Sequence, residues 1–272
     1  MSFAVGNIVA GRDFFFILGP CVIEGPGVTE RVADGIAEVC ARVGVRWIFK
    51  ASFDKANRSS ANAGRGAGLD EGLSRLEAVR SRLGVPVTTD VHLPEQASAA
   101  AQVVDLLQVP AFLCRQTDLL LACAATGKPV NVKKGQFMAP GQMAGAVEKV
   151  GRDRVMLTER GASFGYHDLV VDYRSLPRMR DLGVPVCFDA THSVQSPGGG
   201  GDKTLGDRQY VPALARAAAA VGIDALFAEV HDDPESSPSD AANMLRLGDL
   251  ERLLRDVLAI RDYCARDAMS RA

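Results

Sequence analysis

The chain has 272 residues, 47% apolar and 24% charged, a balance that supports one sizeable buried core and excludes disordered and fibrous classes. Its 31 Lys and Arg against 33 Asp and Glu leave a net charge of −2, so no basic field draws it to nucleic acid or anionic lipid. No apolar run approaches the roughly 18 residues of a membrane span, no leader pattern precedes the first apolar residues, and the six cysteines form no CxxC pair; a cytoplasmic protein with reduced thiols is expected, without nucleic-acid or membrane partners.

In chain order, residues Met1 to Arg12 alternate apolar and polar around Gly6-Asn7, which predicts a small β-hairpin. Eight short apolar runs follow, at Phe14–Leu18, Val45–Phe49, Val85–Thr89, Val103–Leu107, Val130–Val132, Arg154–Leu157, Val184–Phe188 and Ile223–Phe227. Their starts lie 18 to 40 residues apart, near the roughly 30 residues of a βα unit. Helical period fills the intervals, as at Val28–Val43, Leu69–Leu83, Pro94–Gln102, Gly141–Val150, Tyr173–Leu182 and Tyr210–Val221. Asp240–Ala272 reads as one long final helix with Leu250, Leu253, Leu254 and Val257 on its apolar side. Strands alternating with helices specify a parallel sheet, and eight units predict closure into a (β/α)8 barrel, a TIM barrel, occupying residues 1–272 as a single domain after the short N-terminal β-hairpin. A doubly wound open sheet is the alternative.

The loops that follow these strands would share the C-terminal face of a barrel, where active sites are built. KASFDKANRSS places Lys50, Lys55 and Arg58 among Asn57, Ser59 and Ser60, a mixture of point charges, a guanidinium fork and hydroxyl donors suited to phosphate. Arg115, Lys133, Lys134 and Arg160 sit at further strand ends, with Gln108, Asn131, Thr117 and Gln136 as neutral donors. Singly each is an ordinary surface residue or ion-pair partner, but closure would bring them together around an anion. Cys21, His192, Glu229 and Asp240 are metal-ligand types at the same end, fit for Zn²⁺, Fe²⁺ or Mn²⁺. Their scattered spacing does not select them: a lone strand-end Cys is usually a small buried hydrophobe, and His92, His167 and His231 are equally available.

Taken together, GPCVIEG, FKASFDKANRSS, TDVH, QVPAFLCRQTDLL, NVKKGQFMAP, TERGASFGY, FDATHSVQSPGG and the Glu229 to Asp240 stretch resemble the 3-deoxy-D-manno-octulosonate 8-phosphate synthase family of lipopolysaccharide sugar synthesis. The resemblance implies a transferase that condenses phosphoenolpyruvate with arabinose 5-phosphate and water and releases inorganic phosphate. It assigns Lys50, Lys55, Lys133 and Arg160 to phosphoenolpyruvate, with Arg115 and Gln108 nearby and Asp90 and Gln136 as further substrate contacts. Asn57, Arg58 and Ser59 would hold the sugar phosphate, Arg58 reaching across from a neighbour in a homotetramer. Cys21, where a metal-independent branch carries Asn, implies a bound divalent metal on Cys21, His192, Glu229 and Asp240; His192 would be a ligand first and a proton shuttle second. Gly198 to Gly201 lengthen or loosen the loop after His192. The sister synthase that uses erythrose 4-phosphate shares several motifs but usually carries KPRTS where this chain has KANRSS. A sugar-phosphate binding protein on the same scaffold is the non-enzymatic alternative.

Overall fold

The architecture comes from a computed structural model that describes residues 1–25, 27–56, 65–200 and 203–270. Eight parallel strands form its centre: β1 (Phe15–Gly19), β2 (Trp47–Lys50), β3 (Val87–Asp90), β4 (Leu106–Val109), β5 (Val130–Lys133), β6 (Val155–Glu159), β7 (Val186–Asp189) and β8 (Ala225–His231). Each pairs with the next, and β8 pairs with both β7 and β1, so the sheet closes and the open-sheet alternative falls. Helices α1 (Val28–Val43), α2 (Leu69–Leu83), α3 (Pro94–Val103), α4 (Thr117–Ala125), α5 (Ala144–Val150), α6 (Ser175–Arg180), α7 (Val211–Val221) and α8 (Leu247–Ser270) follow the strands in turn.

The strand period of two sorts the side chains. Phe16 and Leu18, Trp47 and Phe49, Val130 and Val132, and Leu226 and Ala228 face outward into the layer shared with the helices. Phe15, Ile17, Ile48, Leu106, Met156, Cys187, Ala225 and Phe227 fill the barrel interior. The predicted hairpin, Phe3–Val5 against Ile8–Ala10, plugs the bottom of that interior with Val5, Ile8 and Ala10. Gly6 at φ 56 supplies the positive φ that its two-residue loop requires.

Two steps further along each strand the inward positions turn polar: Lys50 after Ile48, Gln108 after Leu106, Lys133 after Asn131, Thr158 after Met156, Asp189 after Cys187 and Glu229 after Phe227. This is why several strands end later than their apolar runs predict, β4 at Val109 rather than Leu107 and β3 at Asp90 rather than Thr89.

Three other boundaries differ from expectation. Helix α4, a segment that hydrophobic period did not single out, is apolar over most of its circumference. Helix α8 begins at Leu247 rather than Asp240, because Asp240 adopts φ 51 and directs its carboxylate to Cys21 and Gln195, and residues 245–246 pair with β8. The glycine-rich segment after His192 is ordered as a ribbon, Gln195–Gly200 against Lys203–Gly206, with Gly201 outside the described residues. A second ribbon, Ala162–Tyr166 against Asp168–Val170, follows β6. No described helix is long and apolar enough to cross a membrane.

Candidate active site

The C-terminal mouth of the barrel holds a cleft lined by Lys50, Lys55, Lys133 and Arg160 together with Asp90, His92, Gln136 and His192. Residues from five different strand ends thus converge, as closure predicts. Gly19 makes the convergence of β1 and β2 possible: a Cβ there would stand 1.9 Å from the Lys50 carbonyl oxygen.

The cations are buried and, for the most part, paired within the chain, so the sequence expectation of free converging charge holds only in part. Lys50, 1% exposed, donates from Nζ to Glu229 Oε1 at 2.8 Å and to the Cys21 carbonyl at 2.9 Å. Lys133 donates to Asp189 Oδ2 at 2.7 Å and lies 3.7 Å above the Phe227 ring centroid. Lys55 stands 3.9 Å from Glu229 Oε1; burial pulls its pKa down, but Cys21, Glu229, Asp90 and Asp240 together raise it above the ordinary value. Arg160 differs. It is 4% exposed, donates from one terminal nitrogen to Gln195 Oε1, and keeps Nη1 buried without a partner. Burial is the leading cause of its lowered pKa, only partly countered by Asp189 and Asp240.

Beneath the cleft the neutral donors are used internally. Thr158 Oγ1 donates to Asn131 Oδ1 at 2.6 Å, Asn131 Nδ2 to Gln108 Oε1 at 3.0 Å, and Gln108 Nε2 to Asp90 Oδ1 at 2.7 Å, while Ser52 Oγ donates to Asp90 Oδ2. Gln108 is therefore a buried support for Asp90. Burial pushes the Asp90 carboxyl up, but Lys50, Lys55 and Lys133 outweigh it and hold the group well below the usual carboxylate range.

Cys21, Glu229 and Asp240 place one thiol and two carboxylate ligand atoms within 4.8 Å of one another. His192 Nε2 stands 3.6 Å from Glu229 Oε1 on the same side. Burial pushes the Cys21 thiol well up, and Asp240 and Glu229 push it further; its Sγ donates to Asp240 Oδ2 at 3.0 Å. Both carboxyls titrate below their ordinary values despite burial, Asp240 because of His192 and Lys55 and Glu229 because of Lys50 and His192. Glu229 Oε2 is buried with no hydrogen-bond partner. A soft sulfur, two hard oxygens, an adjacent imidazole and an orphaned carboxylate oxygen fit a divalent ion of the zinc, iron or manganese kind.

Other sequence candidates lie elsewhere. Arg115 is exposed beside a separate depression that it shares with Lys149 and Gln142, so it does not join the described cleft. Lys134 is buried under the mouth on the carbonyls of Gly135 and Met138, 3.5 Å from Glu159, and acts as a structural tie. Thr117 is exposed at the start of α4. Asn57, Arg58, Ser59 and Ser60 lie outside the described residues. His231 binds Glu24, His92 lines the cleft with Nδ1 unpartnered, and His167 is exposed at φ 64. Sequence reasoning missed Asp189, Gln195 and Phe227. The available signal was positional: Asp189 is the last inward residue of β7.

Comparison of the sequence with known proteins places the chain among relatives. Residues 2–264 match the model of the DAHP synthetase I family. A 2-dehydro-3-deoxyphosphooctonate aldolase of Synechococcus sp. is 60% identical over 266 residues, covering 97% of this chain and 93% of the relative. Proteins of the same name from Cyanothece sp. and Fusobacterium nucleatum are 57% and 54% identical, covering 95% and 94% of this chain and 96% and 94% of their own lengths.

Proposed function

The chain belongs to the DAHP synthetase I family, and from that membership and the chemistry of the mouth we propose that it is a 3-deoxy-8-phosphooctulonate synthase. The reaction joins phosphoenolpyruvate, arabinose 5-phosphate and water into 3-deoxy-D-manno-octulosonate 8-phosphate and inorganic phosphate. The observation that carries the reading is Arg160: a buried guanidinium with an unpartnered Nη1, in one cleft with three lysines, is a costly arrangement unless an anion completes it. The relatives named for the octulosonate reaction favour the pentose phosphate over the erythrose 4-phosphate of the sister synthase.

Carbon 3 of phosphoenolpyruvate attacks the sugar aldehyde, carbon 2 becomes cationic, water adds there, and the resulting hemiketal phosphate loses phosphate by carbon–oxygen cleavage. Lys50, Lys55, Lys133 and Arg160 neutralise carboxylate and phosphate so that two anionic substrates approach each other, a positioning effect worth several kcal/mol. Asp90, fixed by Ser52 and Gln108, presents a buried acceptor to the sugar side of the cleft, and Gln136 lines the same wall. Asn57, Arg58 and Ser59 take the sugar phosphate, with Arg58 crossing from a neighbour in a homotetramer; Arg115 contributes long-range charge from outside the described cleft.

Cys21, Glu229 and Asp240, with His192 beside them, would hold a divalent ion, which when bound polarises the aldehyde or acidifies water. His192 then serves as ligand. The enzyme acts in the cytoplasm as part of lipopolysaccharide sugar synthesis.

Phosphate release is the test, with arabinose 5-phosphate or erythrose 4-phosphate as co-substrate and with and without chelator. Release with the pentose only, abolished by chelator and restored by Mn²⁺ or Zn²⁺, supports the reading. Release with the tetrose only assigns the sister reaction, and full activity in chelator removes the metal.

A further inference from the structure

We propose that Glu159 is a positioning residue that aims the Arg160 guanidinium into the cleft by holding the turn after β6. The proposal rests on the synthase reading, in which Arg160 meets the phosphoenolpyruvate anion.

The side chains of β6 alternate as a strand requires. Met156 and Thr158 face the barrel interior, and Val155 and Leu157 face the helix layer. Glu159 shares the parity of Val155 and Leu157, so a carboxylate stands where two apolar side chains precede it, 1% exposed and outside the lining of the cleft. A charge buried there is costly unless hydrogen bonds and an opposite charge meet it. Four groups do. Oε1 accepts the backbone N–H of Arg160 at 3.0 Å and that of Gly161 at 2.6 Å. Oε2 accepts the hydroxyl of Ser175, the first residue of α6, at 2.6 Å and stands 3.5 Å from Lys134 Nζ.

That placement has a directional consequence. One carboxylate oxygen gathers the N–H groups of two successive residues and so bends the chain directly after the strand. Gly161 completes the bend at φ 92, where a Cβ would lie 3.0 Å from Leu169 Cβ. Arg160 lies within this turn, and the backbone held by Glu159 sets its Cα–Cβ direction. Its guanidinium then reaches Gln195 Oε1 and keeps Nη1 unpartnered in the cleft wall. The same carboxylate ties down Lys134, whose neighbour Lys133 is a cleft cation at the end of β5. Glu159 thus anchors two adjoining strand ends from the helix side, each carrying a cation of the mouth.

The test compares two full-length variants of equal charge. Lys134→Met with Glu159→Met replaces the buried pair by apolar chains of similar size, a change that stability commonly tolerates, and leaves both N–H groups without an acceptor. Lys134→Met with Glu159→Gln removes the same charges but keeps an amide oxygen for them. Calorimetry on chelator-treated protein measures phosphoenolpyruvate affinity, and a crystal structure of each variant locates the guanidinium. The methionine variant should bind phosphoenolpyruvate about 10- to 100-fold more weakly, with Arg160 turned out of the cleft. The glutamine variant should stay close to wild type, with Arg160 in place. Equal affinity in the two variants, whether kept or lost, overturns the proposal, because loss of a merely structural tie affects both alike. If the methionine variant does not fold, the glutamine variant decides: Arg160 in place supports the proposal, and Arg160 displaced while both N–H groups are still served overturns it. Absence of phosphoenolpyruvate binding by the wild type would instead refute the synthase reading, and the position of Arg160 in the two crystal structures would still decide the role of Glu159.

Discussion

Asn131→Leu tests whether the polar layer beneath the cleft is a connected support. Asn131 is fully buried, donates to Gln108 and accepts from Thr158. Leucine fills similar space but leaves Gln108 Oε1 without its donor and Thr158 Oγ1 without its acceptor. Each of the two orphaned groups costs about 1–3 kcal/mol, and the added apolar burial returns about 1–2 kcal/mol at roughly 0.8 kcal/mol per methylene, so a net loss centred on about 2.5 kcal/mol, and at most about 5 kcal/mol, is expected. Urea unfolding followed by far-UV circular dichroism measures it. Thr158→Val on top of Asn131→Leu should cost less than Thr158→Val alone, with a coupling on the order of 1 kcal/mol. Because Gln108 orients Asp90, kcat/KM for the sugar should fall as well. A stability change under about 0.5 kcal/mol together with full additivity would refute the connected layer.

Further outcomes follow from the same geometry. Cys21→Ala should lose metal, measured by elemental analysis, and lose turnover while its circular dichroism spectrum stays that of the wild type; retained stoichiometric metal would contradict the ligand set. The folded-state pKa of Asp90 lies below its unfolded value, about 3.9, so its contribution to stability is complete above that pH and is lost as pH falls below it. Stability should therefore decline below about pH 4, with a shallower slope in Asp90→Asn, and equal slopes would count against the lysine pairing. Burial pushes the thiols of Cys40 and Cys123 up to about 12, whereas Cys264 on α8 is half-buried. A thiol reagent should modify Cys264 rapidly in the native protein and the other two only on unfolding; fast reaction of Cys40 would contradict the packing of α1.

The fold was legible because βα spacing and apolar period both survive without tertiary information, and eight units leave few alternatives to closure. Strand ends were less so: an apolar-run reading stops at Leu107 or Phe188, whereas β4 and β7 continue through the inward Gln108 and Asp189, which the barrel tolerates because Gln108 pairs with Asp90 and Asp189 with Lys133 inside. Lys50, Lys133, Arg160 and Gln136 were found by strand-end position, Asp90 only through the family resemblance, and all five do meet in one cleft. Arg115 was read into the same group because it follows β4, but position after a strand does not fix direction, and a turn of 3₁₀ helix at Ala111–Leu113 carries it to another face. The partners that discharge the lysines were the hardest to foresee. Glu229 is 179 residues from Lys50 and Asp189 is 56 from Lys133, and only closure makes such pairs neighbours.

The most direct measurement uses phosphoenolpyruvate labelled with ¹⁸O at the bridging oxygen, incubated with arabinose 5-phosphate, with both products analysed by mass spectrometry. The account predicts an eight-carbon 3-deoxy acid phosphate and label in the released inorganic phosphate. Label retained in the organic product, or a product formed only when erythrose 4-phosphate replaces the pentose, would contradict it.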